Sequence, residues 1–509
     1  MKRFRFVLRA AALLLALLLC SCTAEDDEEN FWDAQEQEPP QEESAPADIS
    51  AFALPYLVGQ SFDPITCPDG VQLTAGTLLY EGLFALDAQL TPQPCLCTSY
   101  TVSADGLVYT FTLRDGVTFS DGSLLTAADA LASLRRAAAS ERYGVRFAQI
   151  AATRSSGNTL LVTLRRPDSA LPALLDIPIV KSGTEGSLVP AGTGPYFFAT
   201  DSDGPCLLRN ENYWRSERPP LARIALVGAK STDAVSYLFS SYDVHLLTAD
   251  LTGALPSVSL SGVDVTDAPG AGLLYLGFNT ARPLTGNAAL RRAMGLAIDR
   301  TVVAGAFLAG HATAAQFPIS PHCALYPAAL EAAYSSSDYA DALAALFPDA
   351  AQPQELTLLV NEENAFKRSA AEYLCRQLSS QAFTLTVRPL PWAEYLSALQ
   401  NADFDLYLGE VRLLPDWDCT PLIGTNGALN YGAYTDETTD ALLAAFLSNE
   451  TPETARALCA RLAQESPILP LAFKSVSVLT PADLINGLSP TASNPFYDFS
   501  RWTLRLPEG

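Results

Sequence analysis

Two pairs of closely spaced carboxylates are the first side chains in this sequence whose types and spacing suit chemistry. Asp403 and Asp405 form one pair, and Asp416 and Asp418 form the other. Two carboxyl groups that flank a glycosidic bond can act as general acid and as nucleophile or base. At a spacing of two residues, however, such acids are more typical of solvated turns. Motifs such as GxSxG, HExxH, GxGxxG and the P-loop are also missing from the sequence. We therefore predict that the protein is not an enzyme.

Cysteine and histidine offer little material for a metal site. The chain has three histidines, and Cys95-x-Cys97 has no second CxxC or HxxxH sequence to complete a ligand set. We predict no bound metal and no cofactor. Two of the ten cysteines lie in the first 22 residues. The other cysteines are expected to be structural pairs or buried thiols, and the sequence leaves their pairing open.

The charge of the chain excludes one large class of function. Lys and Arg number 32 and Asp and Glu number 56, which gives a formal net charge of −24. Because an acidic protein without a basic stripe repels phosphate backbones, we predict no nucleic-acid binding. Hydrophobic residues make up 49% of the 509 residues and charged residues 17%, which indicates a folded chain of two or three domains.

The first 22 residues predict a signal peptide that ends in a lipid anchor. Four basic residues precede an apolar stretch at 10–19, which is too short to span a bilayer. The sequence Leu19-Cys20-Ser21-Cys22 then resembles a bacterial lipobox, with Cys22 as the acylated residue. An ordinary cleaved signal with incidental cysteines is the alternative. Residues 23–48 contain eleven acids and no Lys or Arg, which predicts a disordered tether.

The remainder of the chain must position the candidate residues through mixed strands and helices. Alternating residues at 99–103 and 108–113, with Ala104-Asp105-Gly106 between them, predict a hairpin. Thr126 is a predicted N-cap for a helix over 127–136, and 287–299 has helical spacing. Strand and helix patterns then alternate through 355–408. This order predicts an α/β fold with parallel sheets and crossover helices.

Many short motifs, in order along the chain, resemble one family. The first is Leu79-Tyr80-Glu81-Gly82-Leu83-Phe84-Ala85-Leu86-Asp87, and Gly192-Thr193-Gly194-Pro195-Tyr196 is another. Further matching stretches lie at 103–111, 113–117, 119–122, 126–129, 209–214, 276–280, 290–293, 297–300, 392–395, 404–406, 430–431 and 467–471. Together they resemble the family 5 bacterial extracellular solute-binding proteins, the oligopeptide, dipeptide and nickel type. The resemblance covers nearly everything from about residue 50 onward.

The resemblance implies a two-lobed periplasmic-binding-protein clamp of type II, cluster C, with an extra inserted subdomain. Lobe I would comprise residues 49–83, 193–272 and 481–509, and the subdomain inserted in it would be 84–192. Lobe II would be 273–480. Segments 270–276 and 476–484 would cross between the lobes as the hinge, with the ligand held between the lobes.

The resemblance also implies ligand-binding residues. Asp416 stands where peptide-binding relatives carry an acid for the ammonium group of the ligand, and Trp417 would cover a side-chain pocket. Gly409 begins a segment, 409–414, that would pair with an extended peptide. Leu408 replaces an arginine of some relatives, so Arg412 would receive a carboxylate instead. The remaining expected contacts are Tyr431 and Trp392.

The implied function is that of a monomeric substrate-binding lipoprotein. It would bind a short peptide or another small molecule and deliver it to an ABC permease and ATPase complex, from the extracytoplasmic face of the cell membrane. A nickel chelate, a sugar or an opine-like compound is the alternative ligand. A surface signal receptor of the same fold is the alternative role.

The lipid anchor is tested by replacing Cys22 with Ala. Loss of the acylated thiol should move most of the protein from the membrane pellet to the soluble fraction, because two or more acyl chains on this cysteine would be the anchor. The matched control is Cys20→Ala, which should remain in the membrane. Equal membrane retention of Cys22→Ala and wild type would contradict the anchor.

Overall fold

The computed structural model describes residues 51–67, 70–253, 258–349 and 352–505. The predicted signal peptide, Cys22 and the acidic tether lie outside these residues. Within these ranges no helix has both the length and the apolar character needed to cross a membrane.

Nineteen strands are present in the described residues. They are β1 (Ala53–Leu57), β2 (Phe84–Leu86), β3 (Pro92–Pro94), β4 (Cys97–Val102), β5 (Val108–Leu113), β6 (Ile150–Ser156), β7 (Thr159–Leu164), β8 (Tyr196–Asp201), β9 (Gly204–Arg209), β10 (Arg223–Ala229), β11 (Leu247–Ala249), β12 (Val263–Phe278), β13 (Ala312–Ala314), β14 (Gln354–Asn361), β15 (Phe383–Leu390), β16 (Leu406–Arg412), β17 (Ile468–Pro481), β18 (Ile485–Asn486) and β19 (Thr503–Leu504).

The helices lie mostly in the second half of the chain. They are α1 (Gly70–Gly76), α2 (Ala127–Ala138), α3 (Leu171–Leu174), α4 (Thr232–Ser240), α5 (Ala288–Leu296), α6 (Arg300–Val302), α7 (Ser336–Leu346), α8 (Ala365–Leu378), α9 (Trp392–Gln400), α10 (Thr420–Ile423), α11 (Glu437–Ser448) and α12 (Pro452–Glu465). Short 3₁₀ turns lie at Val145–Phe147, Ala328–Leu330 and Phe499–Arg501, and a π-helical turn lies at Val303–Phe307.

Three sheets of four or seven strands organise these elements, and β2-β3 and β18-β19 form two-stranded sheets. One large sheet has the order β1-β10-β9-β8, and a second has the order β4-β5-β7-β6. The third, with seven strands, has the order β11-β17-β12-β16-β14-β15, and β13 also pairs with β17. The second sheet comes from one continuous stretch of the chain, whereas the seven-stranded sheet joins distant stretches.

The local predictions agree with the structure, whereas the prediction of parallel sheets is wrong for most pairs. The hairpin of β4 and β5 forms, and Gly106 at its turn has φ +71°. Only β1–β10, β14–β15 and β14–β16 are parallel among the described strands. The crossover pattern 355–408 accounts for two of these pairs. The long strands β12 and β17 pair antiparallel instead, which makes the largest sheet mixed.

Helix ends follow the expected capping chemistry. The Thr126 side chain caps α2 in a capping box with Asp129. Asn364 accepts a hydrogen bond from the backbone N–H of Lys367 and caps α8. Asp299 accepts hydrogen bonds from the N–H groups of two residues in α6, so this motif acid is a cap.

Separate hydrophobic clusters fill the space around the sheets. Leu290 and Met294 of α5, and Ile298 just after it, are buried in one of them. Tyr109 and Phe111 are buried on the second sheet. Seven body cysteines are thiols, six of them buried: Cys95, Cys97, Cys206, Cys323, Cys375, Cys419 and Cys459. The structure thus favours buried thiols over disulfides for these residues.

The pair of β12 and β17 contains a bulge at a glycine. Pairing runs from Val263–Pro481 to Gly277–Ile468, with a register shift between Pro269 and Gly272. A Cβ atom on Gly270 would lie 2.1 Å from the backbone oxygen of Lys474. The two strands therefore approach so closely at the bulge that only glycine fits.

Replacing Gly270 with Ala should lower the free energy of unfolding by about 1–3 kcal/mol, because the new methyl group would push apart two paired backbones. Urea unfolding measures the loss. Gly272→Ala is the matched control, since its Cβ would meet only the Lys474 Cβ at 3.7 Å. The control should stay within about 1 kcal/mol of wild type. Equal stability of the two variants would contradict close approach at Gly270.

Candidate functional site

A cavity of about 900 Å³ is lined by all three parts that the sequence predicts. Predicted lobe I contributes residues such as Tyr213 and Arg215, and the predicted subdomain contributes Cys95 and Arg146. Predicted lobe II contributes 412–415 and Trp417, and the chain segment 491–500 closes another side. Its size lies near the upper end of small-molecule pockets, which span about 300–1,000 Å³.

Glu81 organises one wall of the cavity. Its carboxylate accepts hydrogen bonds from the Tyr213 hydroxyl at 2.7 Å, the Trp214 indole N–H at 2.8 Å and the Thr193 hydroxyl at 3.1 Å. The Arg215 guanidinium lies 3.9 Å from the same carboxylate. Glu81 is therefore saturated by protein groups and fixes the shape of the wall rather than offering a free charge.

Two arginine side chains stack on the Trp214 ring next to this wall. The guanidinium carbon of Arg114 lies 4.3 Å from the indole ring centroid, and that of Arg215 lies 4.6 Å from it. An Arg215 nitrogen also lies 3.3 Å from the Cys95 sulfur. Burial raises the pKa of the Cys95 thiol, and the nearby Glu81 carboxylate raises it further. Cys95 is therefore a neutral thiol in the cavity wall.

Most other charges in the wall are already compensated. Arg146 pairs with Asp176 at 2.6 Å, and Asp498 pairs with Arg501 at 3.4 Å. Arg142 donates to the backbone oxygens of residues 64 and 67.

Two charged residues in the wall have no compensating partner among the described residues. Arg412 and Glu217 are both exposed, and neither forms an ion pair or side-chain hydrogen bond within the described residues. They are one free cation and one free anion, supplied by predicted lobe II and predicted lobe I.

Trp417 lies in the wall where the sequence predicts it, in an uncommon backbone conformation. It has φ +52° and is only 2% exposed. Its ring packs edge-on against Phe473 at a centroid distance of 5.9 Å, and its backbone N–H donates to the backbone oxygen of Leu414 at 2.9 Å. A bulky residue with positive φ stores local strain, which is often found in binding sites.

Asp416 lies behind this wall. Asp416 is 4% exposed and does not line the cavity. One carboxylate oxygen accepts the backbone N–H of Asp418 at 3.1 Å. Burial, together with the nearby Asp168, raises the pKa of Asp416 to about 7. In this arrangement the acid is cut off from a ligand in the cavity, and its predicted contact with an ammonium group stays a prediction.

The other predicted residues occupy different surroundings. Gly409 is buried in β16, where a Cβ would lie 2.5 Å from the ring of Tyr275. Tyr431 packs edge-on against Tyr407, and Trp392 is 56% exposed beside Tyr395. None of the three predicted residues lines the cavity. Of the predicted set, the structure brings Arg412 and Trp417 together in its wall.

A buried lysine joins the strands next to the cavity. Lys474, in β17, is 6% exposed and contacts Asp250 at 2.5 Å and Glu410 at 3.1 Å. Glu410 also pairs with Lys367 at 2.8 Å. The network joins Asp250, which follows β11, to Glu410 of β16 and Lys367 of α8. It therefore links predicted lobe I to predicted lobe II.

Sequence reasoning missed Glu81 and Glu217 as wall residues. Glu81 lies inside a motif that the sequence displays, Tyr80-Glu81-Gly82, and its position there was the available signal. Glu217 lies in a polar loop without a comparable signal.

The cavity suits a ligand that carries both a negative and a positive group, since its free wall charges are Arg412 and Glu217. No group of three His, Cys, Asp or Glu residues in the described part of the chain is arranged to hold a metal ion.

Comparison with known proteins gives a family match. Residues 91–427 match the family described as bacterial extracellular solute-binding proteins, family 5 Middle. This region includes the cavity residues Cys95, Arg215, Arg412 and Trp417.

Two named relatives and one solved structure are similar to this chain. The chain is 28% identical over 296 residues to the glutathione-binding protein GsiB of Escherichia coli O1:K1 / APEC, covering 54% of this chain and 58% of that protein. It is 24% identical over 470 residues to GsiB of Salmonella typhi, covering 84% of this chain and 90% of that protein. A solved structure, the ABC transporter substrate-binding protein CtaP of Listeria monocytogenes, is 21% identical with a TM-score of 0.71, and the match covers 89% of this chain and 99% of that one.

Proposed function

Because this chain belongs to family 5 of the bacterial extracellular solute-binding proteins, we propose that it captures a short peptide in the cavity and delivers it to an ABC importer. The family has an extracellular location, and its members bind solutes rather than transform them. Binding without catalysis is the proposed activity of this chain.

The observation that carries the peptide proposal is the pair of uncompensated wall charges. Arg412 can donate two hydrogen bonds to a carboxylate, and Glu217 can accept from an ammonium group. A peptide with free ends carries both groups. Since the two residues belong to different predicted lobes, a peptide that contacts both would favour the form in which the lobes are close.

The edge of β16 supports the same proposal. β16 pairs with β12 from Leu406 to Arg412, whereas it pairs with β14 only at Leu406 and Tyr407. From Leu408 onward, its other edge has no strand partner among the described residues. An extended peptide could add to this edge through backbone hydrogen bonds, as in strand addition. The predicted segment 409–414 keeps this proposed role.

The name of one relative is consistent with a peptide-type ligand. GsiB is named for glutathione, which carries an amino group, two carboxylates and a thiol. We also propose that Cys22 anchors the chain to the membrane and that it acts as a monomer with a permease and ATPase complex. The sequence motifs before residue 49 support the anchor.

Isothermal titration calorimetry against di- to hexapeptides, with glutathione included, tests the ligand class. We expect binding by at least one peptide with free ends. Acetylating its amino group or amidating its carboxylate should weaken binding by about 10- to 100-fold, the cost of a charge-assisted hydrogen bond worth about 1.5–3 kcal/mol. Binding of a nickel chelate or a sugar, together with no binding by any peptide, would contradict the proposal.

Arg412→Ala separates the role of this residue from the rest of the cavity. It should weaken binding of the free peptide by about 10- to 100-fold but leave the affinity for the C-amidated peptide unchanged. The matched control is Arg376→Ala, which removes another exposed arginine outside the cavity. Equal loss for free and amidated peptides would mean that Arg412 does not bind the carboxylate.

A further inference from the structure

The predicted inserted subdomain and predicted lobe II touch at a polar contact beside the cavity. Arg166 forms an ion pair with Asp418 at 2.7 Å. The Ser169 N–H donates to the Leu447 oxygen at 2.8 Å, and the Glu450 N–H donates to the Ser169 hydroxyl at 2.7 Å. We call these five residues the latch contact. Because they come from opposite sides, the latch contact can hold the two sides together.

Apolar packing also joins the predicted subdomain and predicted lobe II. Leu414 of predicted lobe II packs against the hydrophobic cluster of the predicted subdomain. Leu90 of the predicted subdomain is 6% exposed inside a cluster of predicted lobe II. Two acids near the latch contact have little access to water, since Asp168 is 5% exposed and Asp416 is 4% exposed.

Four carboxylates meet at this junction with too few cations to balance them: Asp168, Asp416, Asp418 and Glu450. Arg166 is taken by Asp418, and Arg146, which faces Asp416, already pairs with Asp176. One carboxylate oxygen of Glu450 is buried without a hydrogen-bond partner in the described structure. Ionising Glu450 here would bury a second negative charge beside Asp418 with no cation of its own.

Burial is the main reason why three of these acids hold a proton. Burial, together with the neighbouring Asp416 and Asp168, raises the pKa of Glu450 to about 9. It also raises the pKa of Asp416 to about 7 and that of Asp168 to about 6. Three neutral groups face the same carboxylates, and burial raises the pKa of each: Tyr109, Cys323 and Cys419. Asp168, Asp416 and Glu450 are thus the groups that titrate near neutral pH.

We propose that the latch contact is a proton-dependent switch, which holds while Glu450 and its neighbours Asp416 and Asp168 are protonated and opens as these three acids ionise. Separation of the two sides would expose the acids to water and return their pKa values to about 4, the ordinary value for Asp and Glu. The joined form therefore binds more protons than the separated form. By linkage, its advantage is greatest at acidic pH and is lost as pH rises through about 6 to 9.

This inference rests on the proposed function only in its consequence, which is that acid pH would favour retention of a captured peptide and alkaline pH its release. The switch itself requires no ligand. It can therefore be tested on the ligand-free protein, where failure to bind any peptide would not affect the outcome.

Hydrogen–deuterium exchange of the purified protein between pH 5 and pH 9 is the test. The Ser169 and Glu450 amides donate across the junction, so peptides that cover them report its opening. After correction for intrinsic exchange rates, we expect their exchange to accelerate at least about tenfold over this range, since one linked proton changes an equilibrium tenfold per pH unit. Glu450→Gln, which cannot ionise, should remove most of this acceleration.

The matched control is Glu453→Gln, an exposed acid in the first turn of α12, which should behave like wild type. Asp416→Asn is a second variant, expected to reduce the acceleration in part, and it serves if Glu450→Gln fails to fold. Wild-type exchange at these two amides that is independent of pH would overturn the proposal. Acceleration that persists unchanged in both folded variants would overturn it as well.

Discussion

The antiparallel pairing of β12 and β17 is the constraint on which the rest of the structure depends. These strands of 16 and 14 residues hold the seven-stranded sheet together, with β11 at one end and β16 and β13 further along. The predicted crossing segments near 270 and 476 lie within them. At their bulge, Lys474 binds acids from both predicted lobes. If the predicted lobes rotate against each other, we expect a few residues here to absorb the change, as in other hinges.

Local elements were predictable because their signals are local. Gly106 in its turn, Thr126 as a cap and the apolar face of α5 each depend on neighbours in the sequence. The direction of strand pairing depends on distant partners, and the strand and helix order alone favoured parallel sheets. Neither β12 nor β17 was predicted as a continuous long strand. Pro269 and Gly270 interrupt the pattern of β12 because they serve the bulge, where a regular strand residue does not fit.

The candidate site was predictable only in part, for a related reason. Arg412 and Trp417 were found through a family pattern, and both line the cavity. Glu217 was not predicted, because its importance depends on the folded structure. Only there does its uncompensated charge line the same cavity as Arg412. Asp416 shows the converse case. Its motif position suggests a ligand contact, whereas burial among other carboxylates makes it a partner of the latch contact in the described structure.

These features describe a cavity whose walls come from parts joined by the pair β12 and β17, and whose two free charges come from different predicted lobes. The central claim is that a bound solute draws these sides together. Small-angle scattering of the protein, alone and saturated with a peptide whose binding calorimetry has established, measures this directly. The account predicts a smaller radius of gyration in the complex, with an unchanged far-ultraviolet circular dichroism spectrum. An unchanged radius of gyration at saturation would contradict it.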